Sequence, residues 1–288
     1  MRFENKNTYP LSSIGIKSRY SNLDIGFYPR QTRTLFDIEV HPICSAPTEA
    51  CGTFEIHNEL SQFYMTTFLK ETYTVEELYT FFFEPKDYAV YTMDATESAL
   101  HKWNTLKTKL PSGNIKHIFI KSENSNSQHY IDFIKRFKED NPKVNLFCGY
   151  VSTVESAERI YHAGADVIIA NNTPYTLLSV DTIQEMFDIA RVHNKKIGSA
   201  ISEQHINVQI AMGMEYILTN IFAGFDESGG RVEVGESGTL KITDDSKSKY
   251  KGGVAQQIYH EVESIRKLMH YVGAKDLEHL ERRVIFTV

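Results

Sequence analysis

The feature that most constrains this chain is an alternation. Short runs rich in β-branched and aromatic residues recur along it, separated by longer stretches with apolar residues at helical spacing. The strand-like runs fall at 42–46, 63–68, 88–93, 115–120, 144–147, 167–170, 196–200 and 216–218. The helical patterns fall at 53–60, 75–83, 96–110, 127–140, 154–162, 180–193 and 203–212. A strand that is always followed by a helix must pair in parallel with its successor, because parallel neighbours need a crossover. The count therefore places the chain in the α/β class, as a closed (β/α)8 TIM barrel. An open doubly wound sheet is the rival reading. At about 150 residues per domain, 288 residues would suggest two domains, but α/β barrels often run to roughly 250 residues as one. Residues 1–288 are thus read as a single TIM-barrel domain.

Local signals agree with this count. Ser152/Thr153 followed by Glu155 and Ala157 reads as a capped helix start, and His162-Ala163-Gly164-Ala165-Asp166 reads as a helix ending on glycine before a strand. Residues 227–253 break the rhythm: they are rich in Gly, Ser and Asp, with short alternating runs at 231–234 and 239–242 around Gly235-Glu236-Ser237-Gly238. They read as a flap-like excursion after strand 8, and residues 254–288 as C-terminal helices at 255–271 and 275–281.

Charge and cysteine usage narrow the partners. A net charge of -6 and a pI near 6.0 repel nucleic acid and anionic lipid at long range, so neither is expected as a partner. Cys44, Cys51 and Cys148 show no zinc-like pairing and suit a reducing, cytoplasmic setting. No apolar run approaches the roughly 18 residues a membrane helix needs.

Three blocks carry a resemblance. The first is Pro42-Ile43-Cys44-Ser45-Ala46-Pro47 with Gly52-Thr53-Phe54-Glu55. The second is Phe147-Cys148-Gly149-Tyr150-Val151 with Ala163-Gly164-Ala165-Asp166-Val167-Ile168. The third is Ala223-Gly224-Phe225-Asp226-Glu227-Ser228-Gly229-Gly230, then Lys251-Gly252-Gly253-Val254, then Tyr271-Val272-Gly273-Ala274-Lys275. In this order the chain resembles the GMP reductase and IMP dehydrogenase family of purine-nucleotide oxidoreductases, and GMP reductase more than IMP dehydrogenase.

The resemblance implies a purine nucleotide as ligand, NADPH as hydride carrier, and a homo-oligomer, with a tetramer as the family arrangement. It also implies a cysteine thiolate that adds to C2 of the purine, carried on a Gly-rich loop after the sixth strand. In this sequence that loop is Ala170-Asn171-Asn172-Thr173-Pro174-Tyr175-Thr176-Leu177-Leu178-Ser179, so Leu178 falls where the nucleophile belongs. A leucine cannot be a nucleophile. The family's phosphate-binding glycines correspond to Gly198-Ser199-Ala200 and Thr219-Asn220, and its flap is not recognisable between Arg231 and Lys251. Glu233, Glu236, Asp244 and Asp245 are the acids available there. Lys70, in Leu69-Lys70-Glu71, falls where the reductase has His-Lys-His, and Lys121 falls where the family has an aspartate that contacts ribose.

The expected site follows by motif position. Lys70, Glu49 and Glu227 are the candidate catalytic residues. Ser45, Asn124, Asn171, Thr176, Ser199, Thr219 and Asn220 are the candidate substrate-binding residues, with Asn172, Glu123 and Glu203 also crowding the expected mouth, and no metal is expected. Cys51 and Cys148 are the cysteines expected nearest the functional face. Two functions remain open: a purine-nucleotide-binding barrel that runs a reaction other than cysteine-dependent GMP reduction, and a non-catalytic homologue acting as a regulatory or assembly subunit.

Overall fold

The computed structural model describes residues 9–24, 26–172, 178–201, 205–229, 231–234, 240–243 and 251–287, with the backbone alone at 231–234 and 240–243. Two short strands, β1 (Gly15–Ile16) and β2 (Arg33–Leu35), precede the barrel. Its staves are β3 (Ile38–Ser45), β4 (Met65–Phe68), β5 (Ala89–Asp94), β6 (His117–Lys121), β7 (Asn145–Val151), β8 (Val167–Ala170), β9 (Lys196–Ser199) and β10 (Tyr216–Thr219). Each pairs in parallel with the next, and β10 closes on β3 through Ile217↔Ile43, Leu218↔Cys44 and Thr219↔Ser45. That closing pair decides between the two architectures: the sheet is a closed barrel.

Seven helices link the staves: α1 (Phe54–Ser61), α2 (Val75–Phe81), α3 (Glu97–Lys109), α4 (Gln128–Asp140), α5 (Val154–His162), α6 (Val180–Val192) and α7 (Ile206–Met212). Six begin the same way. Thr53, Thr74, Thr96, Ser127, Thr153 and Ser179 each accept the backbone N–H three residues on, a cap that stabilises a helix by about 1 kcal/mol. The excursion carries a backbone hairpin of β11 (Arg231–Val234) and β12 (Leu240–Thr243). Then α8 (Ala255–Val272), α9 (Leu277–Arg283) and β13 (Phe286–Thr287), which pairs with β1, complete the chain.

Two apolar layers follow from the period of two along each strand. Outward residues such as Ile43, Met65, Ile118, Leu146, Ile168 and Ile197 pack against the helices. Inward residues form a separate core of Cys44, Phe68, Val90, Phe119, Phe147, Ile169, Tyr216 and Leu218. Aromatic rings fill that interior, with Phe147 edge-on to Phe68 at 5.4 Å and to Tyr216 at 4.9 Å. At the N-terminal end Phe36 packs on His117 and Phe147, so the turn from β2 to β3 plugs the floor. In barrel enzymes generally it is the C-terminal end that receives the ligand.

Candidate functional site

Alternation decides which side chains reach the mouth. Phe68, Val90, Phe119, Phe147, Ile169 and Leu218 face inward, so the inward positions one step nearer the rim are Lys70, Thr92 and then Asp94, Lys121, Asn171 and Asn220. The same parity sends Ser45, Ser199 and Thr219 outward. All three are fully or almost fully buried. Ser45 Oγ donates to the Cys51 carbonyl, Ser199 Oγ donates to Gln209 Oε1, and Thr219 Oγ1 accepts the Ile221 N–H at 3.2 Å. These three expected ligand contacts are spent on joining strands to neighbouring loops and helices.

Two charged groups stand at the rim. Lys70 Nζ lies 3.0 Å from Glu49 Oε2 and 4.9 Å from the centre of the Tyr73 ring, while Thr72 Oγ1 donates to Glu49 Oε1 at 2.6 Å. Burial works to raise the Glu49 carboxyl, but the Thr72 hydroxyl and the Lys70 ammonium together hold it below the usual carboxylate range. Two of the three candidate catalytic residues, Lys70 and Glu49, are therefore brought together.

The second group was not foreseen from the sequence. Lys121 Nζ pairs with Glu71 Oε1 and lies 3.7 Å from Asp94 Oδ1. Burial pushes the Glu71 carboxyl above its ordinary value, and a hydrogen bond with Asp94 pushes the same way against the Lys121 ammonium. A carboxyl held toward its protonated form beside a second carboxyl and an ammonium is an arrangement suited to acid–base chemistry or to gripping ligand hydroxyl and N–H groups. Tyr150 packs on Phe119 at 5.7 Å, its hydroxyl pushed up to about 12 by burial and by Glu71. The Thr92 hydroxyl, fully buried on the inward face below Asp94, has no partner among the described residues. Lys102 of α3 holds the loop in place by donating to the carbonyls of Glu71 and Tyr73.

The remaining expected residues have other surroundings. Glu227 Oε2 accepts the Val254 N–H at 2.9 Å and so caps α8, while the Glu227 carbonyl accepts from Thr53 Oγ1. Asn220 Oδ1 accepts from Thr48 Oγ1, and Asn171 lies half-buried at the end of β8, one stave removed from β10. Asn124 is exposed on the loop after β6, next to exposed Glu123. Asn172 Oδ1 accepts the N–H of Leu178, which is buried in the outer core. Thr176, Glu203, Glu236, Asp244 and Asp245 lie outside the described residues, as does the Glu233 side chain.

The cysteines are all buried. Cys148 was expected at the end of its strand, but β7 runs on to Val151, and Cys148 sits mid-strand on the outward side. Burial pushes the Cys148 thiol far up and the Cys44 thiol up to about 12, the opposite of an activated nucleophile.

Backbone amides at helix starts are the usual phosphate holders, and two of these are already in use. The Val180 N–H at the start of α6 donates to the Tyr9 carbonyl, and the Glu227 carboxylate occupies the start of α8. The glycines at this end also serve packing. A Cβ on Gly52 would lie 2.4 Å from the Lys70 nitrogen, and one on Gly229 would lie 1.8 Å from the Glu49 carbonyl oxygen. These two helix starts and these two glycines are thus committed to contacts within the chain.

Comparison with known proteins gives a consistent relationship. The chain is 23% identical over 288 residues to GMP reductase of Caenorhabditis elegans, covering 85% of this chain and 80% of that protein. It is 23% identical over 285 residues to mouse GMP reductase 2, covering 85% of this chain and 82% of that protein. The chain is a divergent relative of GMP reductase and IMP dehydrogenase. With the Inosine-5'-monophosphate dehydrogenase of Staphylococcus saprophyticus it shares 26% identity over 225 residues, and it spans only 46% of that protein's length. No family model matches the chain.

The third block of the sequence resemblance has a structural job. Lys251 Nζ donates to the Ala223 carbonyl at 2.6 Å, the Asp226 N–H donates to the Gly252 carbonyl, and the Gly229 N–H donates to the Ala50 carbonyl. With the Glu227 cap, these bonds latch the segment after β10 to both the start of α8 and the loop after β3. Gly273, at φ 72°, then ends α8 in the left-handed conformation that glycine adopts without strain.

Proposed function

We propose that the barrel mouth binds a purine nucleotide and that the chain does not carry out cysteine-dependent GMP reduction. The observation that carries this reading is the charged, inward-facing rim: Lys70 with Glu49, and Lys121 with Glu71 and Asp94, above a buried Thr92 hydroxyl. A barrel end kept only for assembly has no need to hold such groups at the strand termini. The relatives named for GMP and for inosine-5'-monophosphate supply the ligand class.

Lys70, whose partner Glu49 is partly exposed, is the cation suited to the nucleotide's phosphate. Glu71 and Asp94 suit the ribose hydroxyls or the purine N–H groups, which donate to carboxylates. Asn171 and Asn220 line the same rim, and Thr176 belongs to its loop. Leu178 in the outer core and three buried cysteines argue against thiolate addition. No step is assigned to NADPH.

A second reading, a non-catalytic homologue in a regulatory or assembly role, is favoured by the nature of the latch: the block that carries the sequence resemblance there holds the scaffold together. Thermal-shift measurement separates the two. GMP or IMP at about 100 times its Kd stabilises the folded state by about 2.7 kcal/mol, a rise in Tm of about 5 °C for a chain of this size. No rise with either nucleotide at millimolar concentration would favour the second reading. Oxidation of NADPH in the presence of GMP is expected to be blank, and turnover would refute the account of Leu178.

A further inference from the structure

Away from the mouth, at the C-terminal ends of two adjacent barrel helices, three metal-binding side chains converge. Glu158 and His162 stand one turn apart on α5, and His193 is the C-cap of the neighbouring α6. The donor atoms of all three lie within 4.8 Å of one another. The two imidazoles meet edge-on, 4.7 Å between centres at 85°. None of the three has a hydrogen bond or ion pair among the described residues, although α5 carries an Arg159–Glu155 pair on the same surface.

The backbone that presents these groups is braced. Tyr161 Oη donates to the Lys196 carbonyl at 2.7 Å, tying the end of α5 to the start of β9, directly after the turn that follows α6. Asp166 takes Lys138 and Lys195 on its two carboxylate oxygens, at 2.6 and 2.8 Å, and its carbonyl accepts the Lys196 N–H. His162 and His193 thus sit on two turns fastened to each other, so their separation is set by the fold while the exposed side chains remain able to rotate. Donors around a tetrahedral zinc at about 2.0–2.1 Å stand roughly 3.4 Å apart. Side-chain rotation closes that difference without backbone movement.

We infer that Glu158, His162 and His193 form a surface site for a late divalent transition ion, with Zn²⁺ as the favoured occupant and its fourth position open to water. Two imidazoles and one carboxylate select Zn²⁺, Ni²⁺ or Cu²⁺ over Mg²⁺ and Ca²⁺, which prefer all-oxygen sets. The ion pins α5 to α6 at the end of the barrel opposite the mouth, and the inference is independent of the proposed nucleotide site.

Calorimetric titration of Zn²⁺ into the untagged chain is the test, with Mg²⁺ alongside and Co²⁺ as a spectroscopic stand-in. One equivalent of Zn²⁺ is expected to bind and raise the Tm, with no response to Mg²⁺, and Co²⁺ should give visible bands typical of low coordination number. His162→Ala and His193→Ala should each weaken binding at least tenfold, with Glu158→Gln weaker by a similar factor. Each variant should keep the metal-free Tm of wild type, since these side chains are exposed or half-buried. The control His101→Ala should bind as wild type does. Absence of binding to wild type, or equal binding by wild type and the histidine variants, would overturn the inference.

Discussion

At the scale of single residues, two carboxylates predict opposite responses to pH. Asp166 is largely buried, and burial works to raise its carboxyl, but the Leu146 N–H and the ammonium groups of Lys138 and Lys195 hold it below its ordinary value of 3.8. A depressed folded value contributes stability that is present above the unfolded value and lost as pH falls through the folded one. Asp166→Asn should therefore cost about 2 kcal/mol at pH 7, and the cost should shrink below pH 3.8 in urea unfolding. Glu71 is the reverse case. Its value is raised from 4.5 by burial and by Asp94, so its contribution is full below 4.5 and lost as pH rises through the folded value. Glu71→Gln, which mimics the protonated carboxyl, should gain stability relative to wild type as pH is raised from 4 to 8. A relative loss over that range would contradict the assigned cause.

These residues also mark where sequence reading stops. Lys70 and Glu49 were found by motif position. Glu71, Asp94 and Lys121 were not assembled as a set, because they come from the ends of three successive strands and only the barrel's register brings them together. Asp94 and Lys121 share one signal, each following directly on an apolar strand run and facing the other across the register, whereas Glu71 lies in the turn three residues beyond β4. Ser45, Ser199 and Thr219 were assigned to the mouth, but strands buried on both faces show no polar alternation from which to tell in from out.

At the scale of elements, the strand and helix pattern was legible because period and caps agree. The fifth strand was read as ending at Phe147, whereas β7 continues through Gly149 to Val151, and its register with β8 shifts there. The latch was legible as a motif but not as a device. Its prediction is steric: Gly52→Ala and Gly229→Ala force a Cβ against backbone atoms and should each cost about 2–3 kcal/mol, read as a fall in Tm. Glu227 separates structure from chemistry in the same element. Glu227→Ala should cost about 1 kcal/mol by uncapping α8, while Glu227→Gln, which still accepts the Val254 N–H, should leave stability nearly unchanged.

At the scale of the whole molecule, eight closed staves put every strand end on one rim, and that is why a family likeness foretells architecture better than reaction here. The α/β grammar could be read residue by residue, whereas the mouth depends on closure and on which loops bend inward. Among the described helices none is long and apolar enough to cross a membrane. An exposed aromatic face of Tyr20, Tyr28, Tyr259 and Tyr271 lies along α8 and the N-terminal segment, where Arg266 stacks over Tyr28. For the homo-oligomer that the resemblance implies, sedimentation should give a mass above that of the 33.0 kDa chain; a monomer at micromolar concentration would count against it.

The rim itself is tested most directly by calorimetric titration of GMP and of IMP into wild type and into Lys70→Ala. The account predicts one nucleotide per chain for wild type, and at least tenfold weaker binding by Lys70→Ala with little change in Tm without ligand. Equal heats from the two proteins, or none from wild type with either nucleotide, would contradict it.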